Sequence, residues 1–219
     1  MKVIKTNISD VVILEPRVFG DERGYFFESF SQREFNEQVA EVTFVQDNES
    51  KSSYGVVRGL HYQLPPYTQA KLVRVVEGEV LDVVVDLRKN SATFGKHVAV
   101  VLSGENKRQF FIPKGFAHGF AVLSPQAVFQ YKCDNYYAPQ YESGIQFDDP
   151  ALGIDWKIPE AEMILSAKDR MHKRLEEAFV FEGRLGERRS WGTFNSCKGF
   201  SGCGSVSLCC SRWYWEMYI

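Results

Sequence analysis

Two short runs of sequence hold side chains suited to moving protons. The first is Arg58-Gly59-Leu60-His61-Tyr62-Gln63. Read as a strand, it places Arg58, Leu60 and Tyr62 on one face and Gly59, His61 and Gln63 on the other. An imidazole titrates near pH 6.5 when unperturbed, so His61 can take up and return a proton at neutrality. The adjacent glycine leaves room for a ligand to approach the backbone. The second run, Phe110 to Phe120, carries His118 on a strand face shared with Phe116 and Phe120. Taken alone, either histidine reads as a structural group. Tyr131 shares a face with Phe129 and Cys133, where a phenol packs as a core or interface tyrosine with its hydroxyl satisfied. Lys71 opens a strand, Asp82 lies on the polar side of the next, and Asp169 sits where a first-turn helical carboxylate is favoured.

The elements that must carry these residues are short strands separated by turn signals, over residues 11–14, 25–30, 42–46, 97–102, 108–112, 116–123 and 128–133. The clearest hairpin runs from Lys71 through Glu77-Gly78-Glu79 to Leu87, with Gly78 supplying the turn. In its second strand Leu81, Val83, Val85 and Leu87 share one face, and Asp82 and Asp86 point the other way. Residues 32–39 predict a short helix, and 168–179 predict another, with Ser166 at its N-cap. Many closely spaced strands predict a mainly β sandwich or barrel.

With 44% hydrophobic residues the chain can bury a core, and its formal net charge of −2 gives no signature of a nucleic-acid or anionic-membrane binder. The polar start, MKVIKTNISD, is not a secretory signal, and apolar runs such as Val83 to Val85 are too short to span a bilayer. Of five cysteines only Cys133 precedes residue 182, so there is no disulfide framework there, as expected of a cytoplasmic protein. Domain 1–182 is followed by a Cys-, Gly-, Ser- and Trp-rich stretch, 183–219, expected to be disordered or poorly packed.

The run Pro113-Lys114-Gly115-Phe116-Ala117-His118 resembles the second motif of the cupin superfamily. Where many cupins carry a metal-binding H-x-H pair, this chain has His61-Tyr62-Gln63, and an amide is a poor substitute ligand. RGLHYQ, Lys71, IPKGFAHGF, QYKCDNYY and LSAKD, together with FGDERGYFFES and FVQDN, closely resemble the dTDP-4-dehydrorhamnose 3,5-epimerase family from Met1 to about Phe181. The resemblance implies a cupin-like jelly roll, no metal and no cofactor, a dTDP-linked 4-keto-6-deoxy sugar as substrate, and a homodimer whose N-terminal strands exchange. It assigns His61 as base paired with Asp169, Tyr131 as the opposing acid and Lys71 as stabiliser of the enolate. It assigns Arg23, Phe26, Glu28, Gln46, Asp47, Asn48, Arg58, His118, Tyr137, Glu142 and Lys168 to substrate binding. Asp82 could orient Lys71 or His118.

Other readings compete on the same scaffold. A single-site 3- or 5-epimerase or a ketoisomerase would act on a related 4-keto sugar nucleotide. A metal-dependent cupin would need a better ligand than Gln63. A non-catalytic binding module would have no use for a His–Asp pair opposed to a tyrosine.

Overall fold

β-branched and aromatic residues recur at strand spacing through most of the chain, and they build a mainly β protein. The computed structural model describes residues 1–182; the expectation for 183–219 lies outside them. In chain order the elements are β1 (Lys2–Lys5), β2 (Val12–Glu15), β3 (Phe19–Asp21), β4 (Gly24–Phe26), α1 (Gln32–Gln38), β5 (Gln46–Ser53), β6 (Val57–Gln63) and β7 (Lys71–Glu77). They continue with β8 (Glu79–Asp86), β9 (His97–Ser103), β10 (Gln109–Ile112), β11 (Phe116–Val122), β12 (Gln126–Cys133) and β13 (Glu142–Gly144). One antiparallel sheet runs β1-β2-β10-β7-β12-β5, a second runs β13-β6-β11-β8-β9, and β3 and β4 form a separate ribbon.

The two large sheets pack face to face in the expected jelly-roll manner. Val73, Val75, Phe110, Ile112 and Phe129 from the first meet Val80, Val84, Phe116 and Phe120 from the second in one buried cluster. Phe120 and Phe129 stack across that interior with centroids 4.3 Å apart. The outer face of the second sheet is also covered. Leu60, Tyr62, Leu81, Val83 and Val85 pack under Ile145, Phe147, Trp156 and Phe181 of the C-terminal segment. On the outer face of the first sheet, Leu14, Leu72 and Phe111 receive Phe35 of α1. Ser31 caps that helix by accepting the Glu34 N–H at 3.4 Å.

Four expectations are corrected. The segments either side of Gly78 do not pair as a hairpin: β7 lies between β10 and β12, and β8 lies between β11 and β9 in the other sheet. Gly78 is a corner, with φ +78°, and a Cβ there would sit 2.0 Å from the Gln126 carbonyl oxygen. β8 is buried on both faces, which calls for packing layers above and below it but does not say which strands pair at its edges; alternation reveals faces, not partners. Residues 168–179 form no α-helix, only 3-10 turns at Asp169–Met171 and Leu175–Glu177. Their backbone groups bond sideways instead: the Gln146 N–H donates to the Lys173 carbonyl at 2.8 Å and the Leu175 N–H to Asp149 Oδ2 at 2.8 Å. Residues 42–45 lead into β5 without being strand, and the aromatic strand expected over 25–30 ends at Phe26. β5, polar throughout, is held by its full antiparallel ladder with β12.

Candidate active site

His61 and His118 lie side by side, opposite one another in the β6–β11 register. The register slips by one residue between them and Arg58, a bulge centred on Gly59. Gly59 has φ +124°, and a Cβ there would fall 2.5 Å from the Gly119 Cα, so glycine is required for the two strands to approach. The extra residue also changes Arg58. Val57, Leu60 and Tyr62 all point to the outer cluster, while Arg58 turns away and donates from Nε to the Ser52 hydroxyl at 3.2 Å. The expected sharing of a face by Arg58 and Leu60 is thus broken by the bulge.

His61 Nε2 lies 2.5 Å from Asp169 Oδ1. The other carboxylate oxygen accepts the Ser166 hydroxyl at 2.8 Å, and Ser166 Oγ accepts the Asp169 N–H at 3.1 Å; the N-cap position of this turn is Lys168, not Ser166 as expected. Burial opposes the charge on Asp169, but the imidazoles of His172 and His61 and the Ser166 hydroxyl outweigh it and hold the carboxyl well below the usual range. His118 Nε2 lies 3.1 and 3.0 Å from the two oxygens of Asp82. Burial pushes His118 down and Asp82 up against their mutual attraction, so both are driven towards their neutral forms.

These four residues belong to the second sheet and the strap that covers it. The opposite wall comes from the first sheet. On β7, Lys71 continues the inward alternation of Val73 and Val75, and on β12 Tyr131 packs against the same inter-sheet cluster. Lys71 Nζ is 5.8 Å from the centroid of the Tyr131 ring. Desolvation lowers the Lys71 pKa, partly offset by the nearby Cys133, Asp82 and Glu142. An imidazole–carboxylate pair on one wall therefore faces a cation and a phenol on the other.

At the rim, Glu142 pairs with Lys168 and accepts the Tyr137 hydroxyl at 2.6 Å. Burial raises the Glu142 pKa, but Lys168, Tyr137 and the charge of His61 hold it low. The Tyr137 N–H donates to Gln46 Oε1 at 3.0 Å, and Gln46 donates to Asn48 Oδ1 at 2.9 Å. Asp47 alternates to the outer face and pairs with Lys132 at 2.6 Å. Arg23 pairs with Asp21 at the tip of the β3–β4 ribbon. Phe26 and Glu28 line a cavity of about 250 Å³ with Met1, Leu14 and Phe35. None of their described contacts reaches His61.

The sequence profile of the dTDP-4-dehydrorhamnose 3,5-epimerases matches residues 5–177. The chain belongs to that family. The 3,5-epimerase of Shigella flexneri is 58% identical over 182 residues, 83% of this chain and 99% of the relative. A crystal structure of the enzyme from Elizabethkingia anophelis superposes with TM-score 0.77 at 56% identity, covering 80% of this chain and 97% of that one. The Legionella pneumophila enzyme, solved in complex with dTDP-4-keto-L-rhamnose, gives TM-score 0.81 at 51% identity over 84% and 98% of the two chains. The chain is accordingly an isomerase of the epimerase type, and no described helix is long and apolar enough to cross a membrane.

Within this epimerase scaffold Gln63 is fully engaged. Its amide donates to the Tyr67 and Tyr136 carbonyls at 2.7 and 3.2 Å and accepts the Ala138 N–H at 2.7 Å. The position where a metal-binding cupin carries its second histidine is here a loop clamp. Sequence reasoning passed over His172, which lies 3.7 Å from Asp169 Oδ1 with its ring 5.4 Å from that of His61. The Asp-x-x-His spacing in a tight turn was the available signal.

Proposed function

We propose that the chain converts dTDP-4-dehydro-6-deoxy-D-glucose to dTDP-4-dehydro-L-rhamnose. The ketone at C4 acidifies the protons on C3 and C5. His61 removes each proton in turn from one face of the sugar. With Nε2 committed to Asp169, the accepting atom is Nδ1. The charged carboxylate fixes this tautomer and stabilises the imidazolium that forms, which is the logic of the orienting acid in a hydrolase triad. Negative charge then develops on the C4 oxygen, where Lys71 acts in a largely dry interior. Tyr131, on the opposite wall, returns a proton to the other face and inverts the carbon. Each positioned acid or base is worth about 10²–10⁴-fold.

The observation that carries this reading is the opposition of the His61–Asp169 pair on one sheet to Lys71 and Tyr131 on the other. Arg58 suits the diphosphate, and Gln46, Asn48, Tyr137, Glu142 and Lys168 suit the nucleotide and sugar rim. In this reading His118, braced by Asp82, donates to the sugar beside the enolate. Arg23, Phe26 and Glu28 fit a homodimer in which the β3–β4 ribbon of one protomer reaches its partner's site. The 71% exposure of Phe26 and 59% exposure of Tyr25 support a covered state for that ribbon. Residues 1–182 serve as the catalytic domain of a cytoplasmic enzyme.

The test is proton NMR of dTDP-4-keto-6-deoxyglucose incubated with the protein in D₂O. Loss of both the C3 and C5 signals, with a reductase trapping the L-rhamnose nucleotide, is the expected result. Exchange at one carbon would replace the proposal with a single-site epimerase, and exchange at neither would reject it.

A further inference from the structure

His172 touches the catalytic pair only through Asp169, yet it is built into the structure. Its side chain is 11% exposed, and its Nε2 is buried without a hydrogen-bond partner. The ring lies directly over Gly144: a Cβ at that position would fall 2.5–2.7 Å from three of the ring atoms. Gly144 in turn pairs with His61 in the β13–β6 register. The fold thus holds a second imidazole against the dyad by leaving out a side chain.

We infer that His61, Asp169 and His172 form a binding site for a divalent transition-metal ion of the zinc type, and that the ion inhibits the enzyme. Two imidazole nitrogens and a carboxylate oxygen are ligands that such ions prefer. Here the three ligand atoms all lie within 4.8 Å of one another. Zinc bonds of roughly 2.0–2.2 Å place tetrahedral ligand atoms about 3.3 Å apart. The 3.7 Å between His172 Nε2 and Asp169 Oδ1 closes to this by a small side-chain movement, and the 2.5 Å between His61 Nε2 and Asp169 Oδ1 opens to it. In the structure the latter separation is spanned by a hydrogen bond. Binding exchanges the proton of that bond, released to solvent, for the ion. Asp169 Oδ2 remains on Ser166, which orients the ligating oxygen, and the 29% exposed face of His61 gives access from solvent and room for water as fourth ligand. This set is not the cupin metal position, because it excludes Gln63 and His118.

The inhibition follows from the tautomer. A neutral imidazole bound through Nε2 carries its proton on Nδ1 and has no lone pair left to accept another. The metal therefore removes the base. Binding stands on the geometry alone, whereas inhibition rests on His61 being the base, and the two are measured separately.

The experiment titrates the full chain with Co²⁺ and follows visible d–d absorption, then titrates turnover with Zn²⁺, for wild type, His172→Leu and His172→Gln. Thiolate ligands from the four cysteines beyond residue 182 would show themselves by near-ultraviolet charge-transfer bands, which a His-Asp-His site lacks. The expected result is one Co²⁺ per chain without charge-transfer bands, and Zn²⁺ inhibition. Both His172 variants should lose more than about 100-fold in metal affinity, since even outer-shell partners of a metal are worth 10–100-fold. Having two variants keeps the test intact if one fails to fold. Co²⁺ spectra unchanged by the substitutions would overturn the site. Metal binding that is abolished by the substitutions but leaves wild-type turnover unaffected would overturn the inhibition and, with it, the role of His61.

Discussion

Replacing Asp169 with asparagine separates the charge of the dyad from its shape. The wild-type carboxylate faces His61 Nε2 at 2.5 Å and is kept ionised despite burial. Asparagine keeps the volume but removes the charge that stabilises an imidazolium. Its amide can also donate to Nε2, leaving the ring proton on Nδ1, the atom that should act as base. The expected loss is that of a positioned base, about 10²–10⁴-fold in kcat/KM, or roughly 3–5 kcal/mol at 1.36 kcal/mol per tenfold. The assay couples the epimerised product to a reductase and follows nicotinamide absorbance. KM should change little, because Asp169 supports His61 and not the nucleotide. A kcat/KM equal to wild type would refute the reasoning. The same substitution has a stability signature. A carboxyl with a depressed folded pKa contributes stability that is present above its unfolded value, about 3.9, and is lost as pH falls through the folded value. Wild type should therefore lose more stability than Asp169→Asn on acidification below about pH 4.

Lys71→Met should lower kcat by about 10²-fold or more, as for loss of an oxyanion donor, while circular dichroism shows the fold retained. Since burial lowers the Lys71 pKa and enolate stabilisation needs the protonated amine, wild-type kcat should fall with rising pH before an exposed lysine would titrate, near 10.4; a pH–rate profile checks the sign. Gly59→Ala should destabilise by about 1–3 kcal/mol, read as a lower Tm, because its backbone conformation and the Gly119 Cα both exclude a side chain. Deleting residues 183–219 should leave kcat/KM unchanged in the soluble truncated protein.

The faces of the strands were legible in the sequence, and their partners were not. Alternation correctly placed His118 with Phe116 and Phe120, and Tyr131 with Phe129 and Cys133, because a period of two decides which side a residue takes. Nothing local could show that β7 and β8 join opposite sheets, since their shared turn is compatible with either outcome. The bulge that redirects Arg58 was hidden for a similar reason: it depends on the meeting of Gly59 and Gly119, residues far apart in sequence. The stretch 168–179 has the apolar spacing of a helix, but its backbone groups find partners in the segment that follows β13, at Gln146 and Asp149. Of the two roles weighed for Asp82, the geometry selects His118. Asp169 entered the site only by family resemblance, because a carboxylate on a turn carries no local sign that a histidine 108 positions earlier lies against it.

The opposition of a base on one sheet to an acid on the other is tested most directly by Tyr131→Phe in D₂O, followed by proton NMR of the 4-keto sugar nucleotide. The account predicts that deuterium still enters at the carbons beside the ketone, because His61 continues to remove and return protons on its own face, while formation of the inverted product collapses. Inversion at the wild-type rate would contradict it.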